Sequence, residues 1–279
     1  MPKTIFILID GLGYRQAVQN LGFLEHLIEQ GLGLKAKVLS ELPSSSRPLY
    51  ETLHTGLPAA KHGIACNLTV RMSKFQSVFE LCRENGLTTA ASAYYWISEL
   101  YTRAPFQHTD DRIRLMHDGA INHGIYYFED SYPDSHVFSD AEYLRGSFDP
   151  DFLLVHSMNV DDAGHKEGCN SLIYYSTIAK LNVVLSTIMP LWLKWGYNIL
   201  VTSDHGMSEY GLHGGNTQEQ RIVPLYIFSD QVKKKAGLIS EEPLPQLFIA
   251  PILCRLLAIR KSGDMKDICE LGVDMFEKV

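Results

Sequence analysis

The sequence predicts an α/β fold: a doubly wound, mostly parallel central sheet with helices on both faces. Three observations predict it. Short apolar runs rich in Ile, Val and Leu end at glycine or acidic residues, the pattern of strands buried on both faces. Segments with apolar residues at helical spacing alternate with those runs. No internal repeat, low-complexity tract or linker interrupts the 279 residues, so residues 1–279 are expected to form one domain.

The first run, residues 4–9, stops at Asp10-Gly11-Leu12-Gly13. A helix follows, with Phe23, Leu24, Leu27 and Ile28 on one face and Gly31 and Gly33 at its close. Residues 35–39 read as the second strand. Pro43-Ser44-Ser45-Ser46-Arg47-Pro48 is a loop by composition, and residues 49–55 resume helical content up to Gly56. Residues 79–84 end a helix, and 87–95 form a strand. From 102 to 150 the chain turns polar and rich in His, Asp and Tyr, as an irregular elaboration over the sheet edge or the rim of a site would. Residues 151–156 are a strand. A long helix from about Ser171 sets Leu181, Val184, Leu185 and Ile188 at helical spacing. Residues 198–203 and 224–228 are further strands, and 249–257 a helix.

Composition narrows the function. Hydrophobic residues make up 46% and charged residues 20%, which suits a globular chain. The formal net charge is -7, which excludes a broad cationic surface for duplex nucleic acid or an anionic membrane. A phosphate substrate would need something other than a Lys/Arg field to neutralise it. The five cysteines include no CxxC pair, so free, buried or half-buried thiols in a reducing compartment are expected. The apolar run at 4–9 is shorter than a signal-peptide core, and no run approaches the roughly twenty apolar residues of a membrane span. A cytoplasmic location is the expectation.

In open α/β sheets ligands bind beyond the carboxyl ends of the strands. Three predicted strands deliver acids there: Asp10, then Asp161-Asp162-Ala163-Gly164-His165, then Asp204-His205-Gly206 with His213 close behind. One such Asp is an ordinary helix cap or turn former. Three, two of them with His nearby, form the carboxylate–imidazole set of hydrolytic zinc, with manganese next. The serines at 44–46 lack the glycines of a Gly-x-Ser-x-Gly elbow. A metal is then the economical activator of a serine hydroxyl, and two divalent ions would also answer the charge problem.

These residues carry a resemblance. Ile9-Asp10-Gly11, Ser46-Arg47-Pro48, Thr55-Gly56-Leu57-Pro58, His62-Gly63-Ile64, Asp161-x-x-Gly164-His165 and Asp204-His205-Gly206-Met207 occur in the order found in the alkaline phosphatase superfamily. The branch they most resemble is the nucleotide pyrophosphatase/phosphodiesterase group. The resemblance implies Ser46 as nucleophile and two metal sites. Asp10, Ser46, Asp204 and His205 match the ligands of one, and Asp161, His165 and His213 those of the other. Asn67 matches an asparagine that contacts the phosphoryl oxygen.

The chain also departs from that branch, which often has an aromatic after the nucleophile and Asn after the proline. Here these are Arg47 and Leu49. Arg47 either holds a substrate phosphate or carboxylate or is solvated. Sulfatases of the same fold need Arg where Tyr50 stands. Tyr94, Tyr95 and Trp96 close a strand near the pocket, either to stack a base or aryl group or to pack the core. Asp161 is preferred over its neighbour Asp162 as ligand. His54, His62 and His156 are expected to pack or cap, and His108, His117, His123 and His136 have no ligand-like spacing.

The expected activity is metal-dependent phosphodiester or nucleotide pyrophosphate hydrolysis through a covalent Ser46 intermediate. A small phosphate ester or nucleotide is the expected partner, with no duplex nucleic acid and no membrane. Alternatives on the same site are a phosphonate C–P hydrolase, a phosphomonoesterase and a catalytically dead binding scaffold.

Overall fold

A computed structural model describes residues 2–277. Strand β1 (Lys3–Ile9) lies at the heart of the sheet, with Ile5 to Ile9 fully buried. It is followed in sequence by β2 (Leu34–Leu39), β3 (Thr89–Tyr94), β4 (Ile113–Arg114) and β5 (His123–Tyr127). Then come β6 (Phe152–Ser157), β7 (Tyr197–Thr202), β8 (Ile222–Phe228) and β9 (Leu244–Pro245). All nine join one sheet in the order β4-β5-β3-β6-β1-β7-β8-β2-β9.

The centre, β5-β3-β6-β1-β7, is parallel throughout. The flanks supply the antiparallel minority that a mostly parallel sheet allows. β8 runs antiparallel to both β7 and β2, and β4 antiparallel to β5, so the sheet is mixed. An apolar run has the same composition whichever way it points, and direction is set by the connection before it.

Alternation along β1 divides the core into two layers. Phe6 and Leu8 face the helices Ser46–Thr55, Val78–Glu84 and Ile249–Leu256. Ile5, Ile7 and Ile9 face the helices Gly22–Glu29, Asp134–Phe148 and Leu172–Lys194. Both sheet faces are covered, as a doubly wound fold requires.

Three expectations are corrected. The stretch 102–150 is structured: β4 and β5 extend the sheet, and the 15-residue helix Asp134–Phe148 packs Val137, Phe138, Ala141 and Leu144 onto it. β3 stops at Tyr94, and Tyr95 opens the helix Tyr95–Tyr101. Helix Leu172–Lys194 is, by length and composition, able to cross a membrane, although no such span was expected. One side of it packs on the sheet, burying Tyr174, Ile178, Leu181, Leu185, Met189 and Trp192. Of the five cysteines, Cys82, Cys169 and Cys254 are buried, whereas Cys66 and Cys269 are exposed; all are free.

Candidate active site

Register brings the three acidic strand ends together. In β1 Leu8 pairs with His156 of β6 and with Thr202 of β7. The strands therefore finish level, and the Asp10 N–H closes the ladder on Ser157 O at 2.9 Å. Asp10 leaves β1, and Asp204 and His205 leave β7. Asp161 and His165 lie one turn apart on the helix Asn159–Glu167 that follows β6. Ser46 is the first residue of its helix, and His213 comes from the loop beyond β7. Gly11 permits the close approach of two of these elements. It has φ +71°, and a Cβ there would stand 2.7 Å from Asp161 Oδ1.

The side chains converge tightly. Ser46 Oγ is 3.1 Å from His205 Nε2. The same nitrogen is 3.2 Å from Asp204 Oδ2 and 3.5 Å from Asp10 Oδ1. Asp161 Oδ2 is 3.3 Å from His165 Nε2, and Asp161 Oδ1 is 3.9 Å from His213 Nε2. The His165 and His213 Nε2 atoms are 3.1 Å apart, and the His205 and His213 rings stack at 3.8 Å. Two triples, Asp10–Asp204–His205 and Asp161–His205–His213, hold ligand-type atoms within 4.8 Å of one another. His205 thus stands between the two groups. His165 adjoins the second while remaining partly exposed.

Backbone carbonyls fix how the three imidazoles present themselves. Nδ1 of His205, His213 and His165 faces Gly206 O, Ser44 O and Gly211 O at 3.0, 3.0 and 2.9 Å. A carbonyl only accepts, so each Nδ1 carries hydrogen and each Nε2 turns toward the acids. Three carboxylate oxygens there, Asp10 Oδ1, Asp161 Oδ1 and Asp204 Oδ2, are buried with no hydrogen-bond partner.

The electrostatics follow from this crowding. Burial, then the charges of Asp204 and Asp161, pushes Asp10 well above the usual carboxylate range. Burial and the Asp161 charge raise Asp204 to about 8. At Asp161 burial also acts upward, but the His165 hydrogen bond and the charges of His205 and His213 outweigh it and hold the group low. The Asp161 hydrogen bond lifts His165 to about 9, while burial and His213 hold His205 at about 3. The pocket favours positive charge at its mouth.

Two participants were not anticipated. Tyr50 donates a hydrogen bond to Asp10 Oδ2. His156, expected merely to pack or cap, sits with Nε2 3.2 Å from the same oxygen. The available signal was a histidine one residue from the end of an otherwise apolar strand. Asp162 turns away and pairs with Lys166 at 2.5 Å. His54 and His62 do pack and cap, through Tyr50 O and through Thr52 and the Ile64 N–H. His123 stacks on Phe148 and His108 lies against Phe128.

Asn67 reaches the nucleophile's helix, its Oδ1 accepting from the Arg47 N–H at 3.0 Å. The Arg47 side chain is not solvated. It is buried, with Nη1 2.7 Å from Glu99 Oε2 and its guanidinium 4.4 Å from the Trp96 ring. Tyr95 and Trp96 are half-buried in an aromatic cluster with Tyr94, Tyr50 and Phe106.

Acids and imidazoles gathered beside a helix-terminal serine, on the carboxyl edge of a doubly wound sheet, define a phosphoester-hydrolase type of scaffold. The chain belongs to the Type I phosphodiesterase / nucleotide pyrophosphatase family, whose match covers residues 4–220, from β1 past His213. This family lies within the alkaline phosphatase superfamily, as the motifs implied. The human protein named GPI ethanolamine phosphate transferase 2, catalytic subunit, is 24% identical over 248 residues. That match takes in 84% of this chain but only 24% of the transferase, so the chain spans about a quarter of its relative's length. Murine ectonucleotide pyrophosphatase/phosphodiesterase 5 superposes with a TM-score of 0.77 over 98% of this chain and 100% of its own, at 13% identity. Its inactive variant in complex with AMP gives 0.76 at 15% identity, over 99% and 100%. The likeness to these structures is one of fold.

Proposed function

We propose that the chain is a two-metal phosphodiesterase of the nucleotide pyrophosphatase type, working through a covalent intermediate on Ser46. One observation carries this reading: the Nε2 atoms of His165, His205 and His213 are directed at Asp10, Asp161 and Asp204, with Ser46 Oγ 3.1 Å from His205. The residues fit divalent cations. Three buried carboxylate oxygens lack hydrogen-bond donors, and the imidazole Nε2 atoms crowd against carboxylate oxygens and one another. Asp10, Ser46, Asp204 and His205 would hold one ion and Asp161, His165 and His213 the other, zinc suiting the set best and manganese next. Such ions lower the pKa of a hydroxyl and neutralise charge on phosphoryl and leaving oxygens, without a cationic surface.

The protein's own groups do the rest. Ser46 Oγ attacks phosphorus, the leaving alcohol departs, and the phosphoseryl or nucleotidyl-seryl ester is then broken by water. Ser46 begins a ten-residue helix, whose first turn favours an anionic phosphoryl group. Asn67 spends its carbonyl on the Arg47 N–H, which leaves its amide hydrogens for a phosphoryl oxygen. Tyr50 and His156 both engage Asp10 Oδ2 and so turn Oδ1 toward His205. Half-buried Tyr95 and Trp96 offer an aromatic wall for a nucleotide-type ligand, the class represented by AMP in the solved relative.

A second reading is favoured by the name of the sequence relative. An alcohol in place of water in the second step would make the enzyme a phosphoryl-group transferase. A dead scaffold suits the chain poorly, because every expected ligand is present and converges. The discriminating experiment assays bis-p-nitrophenyl phosphate, p-nitrophenyl phosphate, an aryl nucleotide diester and phosphonoacetate with zinc and then manganese. Diester hydrolysis is expected, with Ser46→Ala slower by roughly a thousandfold or more. Undiminished turnover by Ser46→Ala would move the nucleophile to Ser45 or to a bound water. Preferred cleavage of phosphonoacetate would replace the diesterase reading with C–P hydrolysis.

A further inference from the structure

Arg47 follows the nucleophile in sequence and is one of the largest fully buried side chains in the chain. Its counter-charge comes from the helix Tyr95–Tyr101. That helix places Trp96 and Glu99 three residues apart, so both meet the same guanidinium. Glu99 is itself fixed from the other side, since its Oε1 accepts the Phe106 N–H at 3.0 Å. The ion pair is close but lies off the hydrogen-bonding direction. Arg47 Nε and Nη1 and Glu99 Oε2 are all buried without a hydrogen-bond partner.

Such a pair is a poor stabiliser. Desolvating two charges costs several kcal/mol each, and apolar residues of equal volume commonly serve as well or better. Its position suggests another use. Arg47 directly follows the nucleophile, and its backbone N–H is bound by Asn67, the proposed phosphoryl contact, at 3.0 Å. A lone desolvated cation there would draw a dianionic monoester. A cation cancelled by a fixed carboxylate draws it far less, because the field of a close ion pair falls off faster than that of a single charge.

We propose that Glu99 is a positioning residue that sets charge selectivity: by neutralising Arg47 it makes a singly charged diester outcompete a dianionic monoester. The proposal rests on the phosphodiesterase reading above and adds the residue that enforces it. Neither member of the pair has to touch the substrate.

The test compares kcat/KM for p-nitrophenyl phosphate and bis-p-nitrophenyl phosphate at pH 8 and fixed zinc loading. Glu99→Gln should raise the monoester-to-diester ratio by about tenfold or more, equivalent to about 1.4 kcal/mol of transition-state preference. The double variant Arg47→Met/Glu99→Leu should restore the wild-type ratio to within about threefold, whatever its absolute rates. A ratio unmoved in a folded, metal-loaded Glu99→Gln protein would overturn the proposal, and so would a raised ratio that persists in the double variant. Should Glu99→Gln fail to fold, Arg47→Gln must shift the ratio toward the diester, and a ratio that does not move overturns the proposal. Calorimetric binding of inorganic phosphate gives a readout without turnover. About tenfold tighter binding by Glu99→Gln is expected, and equal binding refutes the role of Glu99. A wild-type enzyme without diesterase activity whose Glu99→Gln variant still binds phosphate more tightly would break the functional reading alone.

Discussion

Two sets of buried carboxyl groups are treated in opposite ways. Glu51 and Asp134 have protein donors on their oxygens. Tyr101 donates to Glu51 Oε2 at 2.8 Å and Ser73 to Oε1, while backbone N–H groups around Asn159 serve Asp134. Asp10, Asp161 and Asp204 each keep one buried oxygen without a donor and face imidazole nitrogens instead. The first pair is complete within the protein. The second set is complete only with positive charge added, and that difference separates a folding solution from a functional one.

The largest expected effect is on removing metal. If two ions close the set at the sheet edge, a chelator should abolish turnover and lower the melting temperature. Ligand at a thousandfold over Kd contributes about 4 kcal/mol. At roughly 2–4 °C per kcal/mol, that is a fall on the order of 10 °C. Readdition of zinc should reverse both. A melting temperature indifferent to chelator would mean that these carboxylates need no partner, and the comparison would collapse.

Asp204→Asn should show opposite signs in the two states. Asn keeps an oxygen for the Gly11 N–H, which Asp204 Oδ1 now accepts at 3.2 Å, and removes one of three crowded acids. The metal-free variant should therefore be more stable than metal-free wild type by about 1–2 kcal/mol, while zinc no longer stabilises it. Denaturant melts with and without zinc decide it. Destabilisation of the same size in both states would make Asp204 an ordinary structural acid.

How much of this was legible in the sequence depends on whether a residue's role is local. Residues 4–9 and 151–156 read correctly as strands because they are buried on both faces, and two-sided burial leaves an apolar run in the sequence. Asp10, Asp161, Asp204 and His205 were legible because strand ends meet at one sheet edge. β5 escaped notice because His123-Gly124-Ile125-Tyr126-Tyr127 mixes residue types, and the helix Asp134–Phe148 hides its apolar stripe among Asp, Ser and Glu. Tyr50, His156 and Glu99 were illegible for a different reason. Each acts on a residue 40 or more positions distant, and only the packed sheet and helices bring the partners together.

The self-contained acids make a pH prediction of their own. Burial raises Glu51 and Asp134 to about 7 each, so the native state keeps their protons where the unfolded chain has lost them. A folded-state pKa above the unfolded one means that stability declines as pH rises, here from about 4 to about 7, and stays reduced above that. Each group should account for on the order of 2 kcal/mol of that decline. Comparing urea melts of wild type and Asp134→Asn across the window tests the sign. The variant should lose less stability with rising pH than wild type. An equal slope would mean that Asp134 is ionised in the native state throughout.

The smallest effect, and the sharpest, belongs to Tyr101→Phe. Its hydroxyl is one of the two side-chain donors that make Glu51 complete, and its loss leaves Oε2 with a donor removed. Loss of one buried hydrogen bond costs about 1 kcal/mol. The cost should not be uniform in pH. Glu51 is protonated in the native state below about 7, where the Tyr101 hydroxyl meets a neutral acceptor. Above that pH the acceptor is a carboxylate, and hydrogen bonds to charged groups are roughly twice as strong. The destabilisation should therefore grow from about 0.5 kcal/mol near pH 5.5 to about 1.5 kcal/mol near pH 8.5. The Phe variant should also push the Glu51 proton loss to higher pH, visible as an altered slope in the same urea series. A pH-independent cost would show that Tyr101 contributes only its packing against His54 and Phe79, whose rings lie 5.3 and 5.5 Å from it. The contrast between satisfied and unsatisfied acids would then lose its best-defined donor.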